Sequence, residues 1–127
     1  MTRNKVAVFK PDPAAALPSG SAPIQRQELI ASSNNWVGVA YTKAGLASAW
    51  HHHSENDTYA YVISGRIRIE FGPGGKESVE VGQGEVFHVP GEIVHREVTG
   101  DAEPAAIFVV RSGTGKPVVN MDEPEHV

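Results

Sequence analysis

Three of the six histidines in this chain of 127 residues are consecutive: His51, His52 and His53. In an extended segment residues two apart share a face, so His51 and His53 project together while His52 points the other way. Two imidazoles on one face are half of a metal site, and His95, on a later extended segment just after a Pro-Gly turn, can supply a third. Three nitrogen ligands would leave coordination positions open to water or substrate. Cysteine is absent, which excludes thiolate ligands, disulfides and a Cys nucleophile, so any metal must sit on His or oxygen ligands. A His triplet is also what a solvated surface patch looks like, and the spacing of the three residues alone leaves both readings open.

The frame that must carry these residues is small. A chain of 127 residues makes one core, which excludes an active site in a cleft between two domains. Net charge is −4, from 11 Lys+Arg against 15 Asp+Glu, on a chain 40% hydrophobic and 20% charged, which argues for a folded domain rather than a disordered acidic one. No Lys/Arg cluster is present to neutralise phosphates, so nucleic acid is not an expected partner. No apolar run approaches the ~20 residues of a membrane span, and the N-terminus lacks the apolar stretch of a signal peptide. A cytoplasmic protein that does not engage membranes is expected.

Thirteen Gly and nine Pro punctuate the chain, as in folds of many short strands joined by turns. Residues 5–10 read as a short strand stopped by Pro11, and residues 11–23 as an Ala/Pro-rich arm. Residues 25–32 offer the sole candidate for a helical turn or two. Strand patterns follow at 36–42, 59–64, 66–71, 77–81, 86–89, 94–98 and 105–110, and the polar tail after Ser112, which includes His126, reads as a second arm. In residues 66–71, Ile67, Ile69 and Phe71 alternate with Arg66, Arg68 and Glu70, which predicts a half-buried strand with its charges outward. The Gly72–Gly75 cluster is a hairpin turn and not a phosphate loop, because no Lys-Ser/Thr pair and no helix follow it. No nucleophile-elbow context supports a Ser/His/Asp triad. The pattern as a whole predicts an all-β sandwich or small barrel.

Spacing around the histidines is more specific than the triplet itself. Gly45, five residues, His51-x-His53, four residues, Thr58, six residues and Gly65 resemble the first motif of the cupin family. Gly84, five residues, Pro90 and then His95 five positions after the proline resemble its second motif. The resemblance spans about residues 36–111 and implies a single-domain, jelly-roll-like cupin β-barrel, with residues 1–35 leading into it and 112–127 as a tail. It implies one divalent metal ion per chain (Fe, Zn, Ni, Mn or Cu) held by His51, His53 and His95.

The family's acidic ligand falls on Thr58, which has no carboxylate. Asp57, one position earlier, and Glu97, two residues after His95 on the same face, are the alternatives; a three-His site ranks first, Asp57 as fourth ligand second and Glu97 third. The glycine of the family's Pro-x-Gly sits one place early as Gly91, leaving Glu92 at its position, and the family's downstream Asn falls on Thr99. His88, Glu97 and Asp57 are the ionisable candidates for catalysis, although a hydrogen-bonded structural role for His88 is the stronger expectation. Trp50, Tyr59 and Tyr61 are candidate pocket walls, with simple packing as the alternative. His52 and Glu55 are expected to face solvent or a neighbouring subunit.

The resemblance implies a metal-dependent enzyme, of dioxygenase-like or isomerase/lyase-like chemistry, acting on a small oxygen-bearing molecule. A non-catalytic ligand-binding or sensory module is the rival. Two arms able to reach a partner, together with the resemblance, lead us to expect a homodimer.

Overall fold

Residues 5–18, 24–114 and 118–121 are described here, from a computed structural model. Among the described residues, eleven antiparallel strands run in chain order: β1 Leu17–Pro18, β2 Gln25–Ala31, β3 Asn35–Thr42, β4 Trp50–His52, β5 Asp57–Ser64, β6 Arg66–Phe71, β7 Glu77–Gly82, β8 Val86–Val89, β9 Arg96–Thr99, β10 Ala105–Ser112 and β11 Val119–Met121. Two 3-10 turns, Pro13–Ala15 and Pro73–Gly75, each begin with a proline that presets the backbone.

Period-two burial builds the core. On β5, Thr58, Ala60 and Val62 are buried while Tyr59, Tyr61 and Ile63 are exposed, and on β10 Ala105, Ile107, Val109 and Arg111 are buried. The β6 alternation holds, with Ile67 and Ile69 inward and Arg66 and Arg68 outward. Six strands form one sheet in the order β1-β2-β3-β10-β5-β8, and three form another in the order β7-β6-β9. Their apolar faces meet in a shared cluster that includes Val62, Ile67, Ile69, Val81, Ile107 and Val109, against which Trp36, Phe71 and Phe87 pack. The result is the expected all-β, jelly-roll-like architecture, with ladders that stay open rather than closing into a continuous barrel.

Several local readings change. Residues 25–32 are not helical: β2 pairs along its length with β3, because a two-turn helix is marginal in water whereas this edge offers a full ladder. Residues 5–10 form no strand and are exposed, since no neighbouring strand pairs with them. Part of the first arm is ordered, with Pro18 pairing with Gln25 and Leu17 with Arg26. The tail is not simply an arm: Val119, Asn120 and Met121 pair with His52, His51 and Trp50, so β11 supplies the ladder partner of the His-bearing strand. Residues 94 and 95 precede β9, and His95 is held instead by a bridge to His51. Arm residues 19–23, tail residues 115–117 and 122–127, and with them His126, lie outside the described residues.

Gly65 makes the β5–β6 turn at φ +81°, where a Cβ would collide with the Pro104 carbonyl oxygen. At Glu92 the backbone adopts φ +65°, a conformation suited to glycine, although the residue is glutamate. The motif's glycine conformation thus survives at position 92 without its glycine.

Candidate metal centre

Sequence order puts 44 positions between His51 and His95, and the backbone removes that distance with one antiparallel bridge. His51 N–H donates to His95 O and His95 N–H to His51 O, both at 2.9 Å. His53 follows just past the end of β4, and all three histidines are buried, His51 completely. Ring centroids lie 4.4 Å apart for His51 and His95, 4.9 Å for His51 and His53, and 5.2 Å for His53 and His95. One ligand nitrogen from each falls within 4.8 Å of the others. The solvated-patch reading of the triplet is excluded for His51 and His53, and His52 is only partly buried, on the other face.

Orientation of the rings is fixed from behind. The Nδ1 of His51 lies 2.7 Å from the Ala49 carbonyl and that of His95 2.8 Å from the Ile93 carbonyl. A carbonyl only accepts, so each Nδ1 carries the proton, and in its neutral form each ring turns an Nε2 lone pair toward the centre. His51 Nε2 is buried and has no hydrogen-bond partner among the described residues. A buried lone pair left unpaired costs about 1–3 kcal/mol, and a divalent cation is the partner such a donor set accepts. The three residues therefore fit a metal ion.

Glu97 is the carboxylate that the fold brings to this cluster. One of its oxygens lies 3.6 Å from His51 Nε2 and the other 3.6 Å from His95 Nε2. Ser48 holds it, donating from Oγ to Glu97 at 3.0 Å and accepting the Glu97 N–H. Asp57, ranked ahead of Glu97 from the sequence, does not approach the cluster. It precedes inward-facing Thr58 on β5 and so points outward, where it accepts the Gly91 N–H at 3.0 Å and lies 3.3 Å from His88 Nε2. Thr58 does face inward, and its Oγ1 is buried without a partner.

Burial pushes the His51 pKa below the ordinary imidazole value, with Glu97 opposing and His95 and Arg26 reinforcing the shift. Burial acts in the same direction on His95, but the Glu97 carboxylate outweighs it and holds that ring above the ordinary value. For Glu97 itself burial alone would raise the pKa; His51, His95 and Arg26 hold it well below the usual carboxylate range.

The remaining candidates lie elsewhere. Tyr59 and Tyr61 are exposed on the outer face of β5 and line none of the described cavities, because the strand's inward positions are 58, 60 and 62. Tyr59 stacks on His88 at 4.9 Å, and this outward pair accounts for His88 as a surface partner of Asp57 at the rim of an apolar cavity of about 280 Å³. Trp50 is covered by the Arg96 guanidinium at 4.7 Å and lines none of the described cavities. Glu55 is exposed and accepts from Thr114 Oγ1.

Two residues near the cluster had not been singled out. Arg26 and Arg111 line, with His53, Thr58 and Glu97, an interior cavity of about 20 Å³, room for roughly one water-sized group. Burial lowers the Arg111 pKa from the ordinary guanidinium value to about 10 and lowers that of Arg26 as well. The signal for Arg111 was present, since the inward period Ala105, Ile107, Val109 continues to it. The helical reading of residues 25–32 hid Arg26. A cavity of about 590 Å³, the largest of the four described here, lies by Thr42 and Ala105, at the end of β10 away from Arg111, and is lined by none of the three histidines.

A family model described as the cupin domain matches residues 39–111. The chain belongs to the cupin family. Among solved structures, this cupin is similar to a Cupin 2 conserved barrel domain protein from Salinispora arenicola, with 16% identity over 87% of this chain and 92% of that one and a TM-score of 0.71. It is similar to a double-stranded beta-helix domain protein from Klebsiella pneumoniae, with 19% identity, 84% and 90% coverage and a TM-score of 0.70. KdgF from Halomonas sp. is a third, at 18% identity, 85% and 96% coverage and a TM-score of 0.67. At these identities the likeness is one of fold. No curated protein matches this cupin. Among the described residues, no helix is long and apolar enough to cross a membrane.

Proposed function

We propose that this cupin binds one divalent metal ion through His51, His53 and His95, with Glu97 as neighbouring carboxylate, and uses it in an enzymatic reaction on a small oxygen-bearing molecule. The observation that carries the reading is the unpartnered, buried Nε2 of His51 on a ring whose Nδ1 is committed to a backbone carbonyl. Bound there, the ion would supply Lewis-acid polarisation of a substrate oxygen. The chain's own contribution is to hold three imidazoles in one place, set the tautomer of His51 and His95 and keep an ionised carboxylate beside them. A fold neighbour whose structure is described as that of DMSP lyases, 22% identical with a TM-score of 0.62, is consistent with lyase chemistry on such a scaffold, although this chain covers only 48% of that one.

Elemental analysis of protein loaded and then desalted should give about one metal per chain in the wild type and a large loss of occupancy in H51A and H95A. Oxygen uptake by the Fe(II)-loaded protein on diketones, thiols and catechols then tests the dioxygenase-like form, and turnover without oxygen uptake points to the isomerase or lyase form. Metal-free protein that takes up no ion from any of the five candidates refutes the reading.

A further inference from the structure

Charge inside this barrel does not balance. Arg26 and Arg111 face an interior in which Glu97 is the single acidic side chain lining the cavity, and the buried imidazoles are neutral or shared with that carboxylate. Among the described residues, neither guanidinium donates a hydrogen bond or forms an ion pair, and the Nε of each is buried without a partner. Arg111 is 4% exposed, and its guanidinium carbon lies 5.1 Å from the centroid of the Trp36 ring. Guanidinium groups are forks of donors shaped for oxyanions, and holding one buried and a second half-buried with its Nε covered, neither of them paired, is unfavourable unless an anion joins them. Thr58 sharpens the point: it faces the same cavity with an unpartnered Oγ1 at the position where the family motif carries an acid.

We propose that Arg26 and Arg111 form an oxyanion-recognition site for the carboxylate of a small, hydrophilic organic acid, and that this carboxylate takes the place of the acid missing at Thr58. Arg111 lines both the interior cavity and a cavity of about 230 Å³ beside Trp36, and so touches the space on either side of it. Asn34, Asn35 and Asn56 are among the walls of the larger of the two and offer hydrogen bonds to a hydroxylated body. This names the substrate class for the reaction proposed above and rests on that reading for catalysis, whereas the binding of the anion rests on the arginines alone.

The test uses glycerate as probe and glycerol as its uncharged counterpart, with chloride at matched ionic strength as the simple-ion control. Each is titrated into metal-free, full-length protein by calorimetry and by the fluorescence of Trp36, with a W50F background removing the second tryptophan. Glycerate should bind at least tenfold more tightly than either control. R111M, and independently T58E, which builds an acid into the cavity, should each weaken glycerate at least tenfold in calorimetry while keeping the wild-type far-ultraviolet circular dichroism and a cooperative thermal transition. Equal binding of glycerate and glycerol, or of glycerate and chloride, overturns the proposal, as does wild-type glycerate affinity in folded R111M or T58E. Metal occupancy measured separately keeps the two readings apart: glycerate binding without metal uptake refutes the metal reading alone, and metal uptake without glycerate binding refutes the anion site alone.

Discussion

Replacing Arg111 by methionine should make the metal-free protein more stable. The fall in the Arg111 pKa from the ordinary guanidinium value to about 10 means that the fold disfavours the charged guanidinium relative to the unfolded chain by roughly 3 kcal/mol. The sign follows from the group being a base with a lowered folded value: the cost is present in full below about pH 10 and fades only as pH rises above it toward the ordinary guanidinium value. At pH 7 it is therefore carried entirely. Methionine has a similar length and no charge, so the variant sheds that cost; it forfeits the contact with Trp36, worth about 1 kcal/mol. The net expectation is a gain of about 2 kcal/mol, in line with buried ion groups replaced by apolar ones. For a domain of this size that is a rise in Tm of roughly 8 °C. The assay is thermal unfolding of chelator-treated protein at pH 7 in a buffer without carboxylates, followed by calorimetry and near-ultraviolet circular dichroism. R66M is the control, since Arg66 is 59% exposed and its pair with Glu80 spans 3.4 Å at the surface; it should move stability by less than about 0.5 kcal/mol. A Tm for R111M below that of the wild type would refute the reasoning, because it would mean that the guanidinium stabilises the fold rather than being tolerated by it.

Other outcomes follow from the same geometry. E97Q should weaken metal binding about 10–100-fold by competition with a chromogenic chelator, while D57N leaves it unchanged; the reverse order would restore Asp57 as the relevant carboxylate. Burial opposes ionisation of Glu70, but Arg96 at 2.6 Å and Arg68 hold its pKa below 4.5, so its ion pairs stabilise the fold above that pH and the contribution disappears as pH falls through the folded value. In urea unfolding, E70Q should cost about 1–2 kcal/mol at pH 7 and progressively less below pH 4.5, whereas a pH-independent difference would show that the loss is not electrostatic. E92G should stabilise the fold by up to about 1 kcal/mol, read as a higher urea midpoint, because glycine adopts φ +65° without steric cost. A drop in that midpoint would mean that the glutamate side chain holds the loop before His95.

The strands were legible where side chains alternate without interruption. Ile67 and Ile69 against Arg66 and Arg68 needed nothing but the pleat, and the bounds 36–42 and 66–71 lie within a residue of β3 and β6. Legibility failed where tertiary pairing decides the state. Residues 25–31 carry no strict alternation and became a strand because β3 presents an edge, and residues 119–121 did so because β4 needs a partner. The three histidines were found because their types are rare and their spacing specific. Choosing among the carboxylates was harder, since Asp57 and Thr58 differ by one position and the pleat sends adjacent residues to opposite faces. Arg111 was passed over because a charge at the end of an apolar run reads as the strand's exit to solvent, although its parity places it inside.

Ala49 and Ile93 each stand two residues before the histidine whose ring their carbonyl engages, and the two histidines bond to each other's backbone. None of these links uses a side chain other than the imidazoles. Positions 49 and 93 are thus free to vary in divergent relatives without disturbing ring orientation, so a pattern written in residue letters would miss half of what holds the centre. In exchange experiments, the His51 and His95 amides should open together as one unit, and the centre should be lost when that unit opens rather than when any neighbouring side chain is changed.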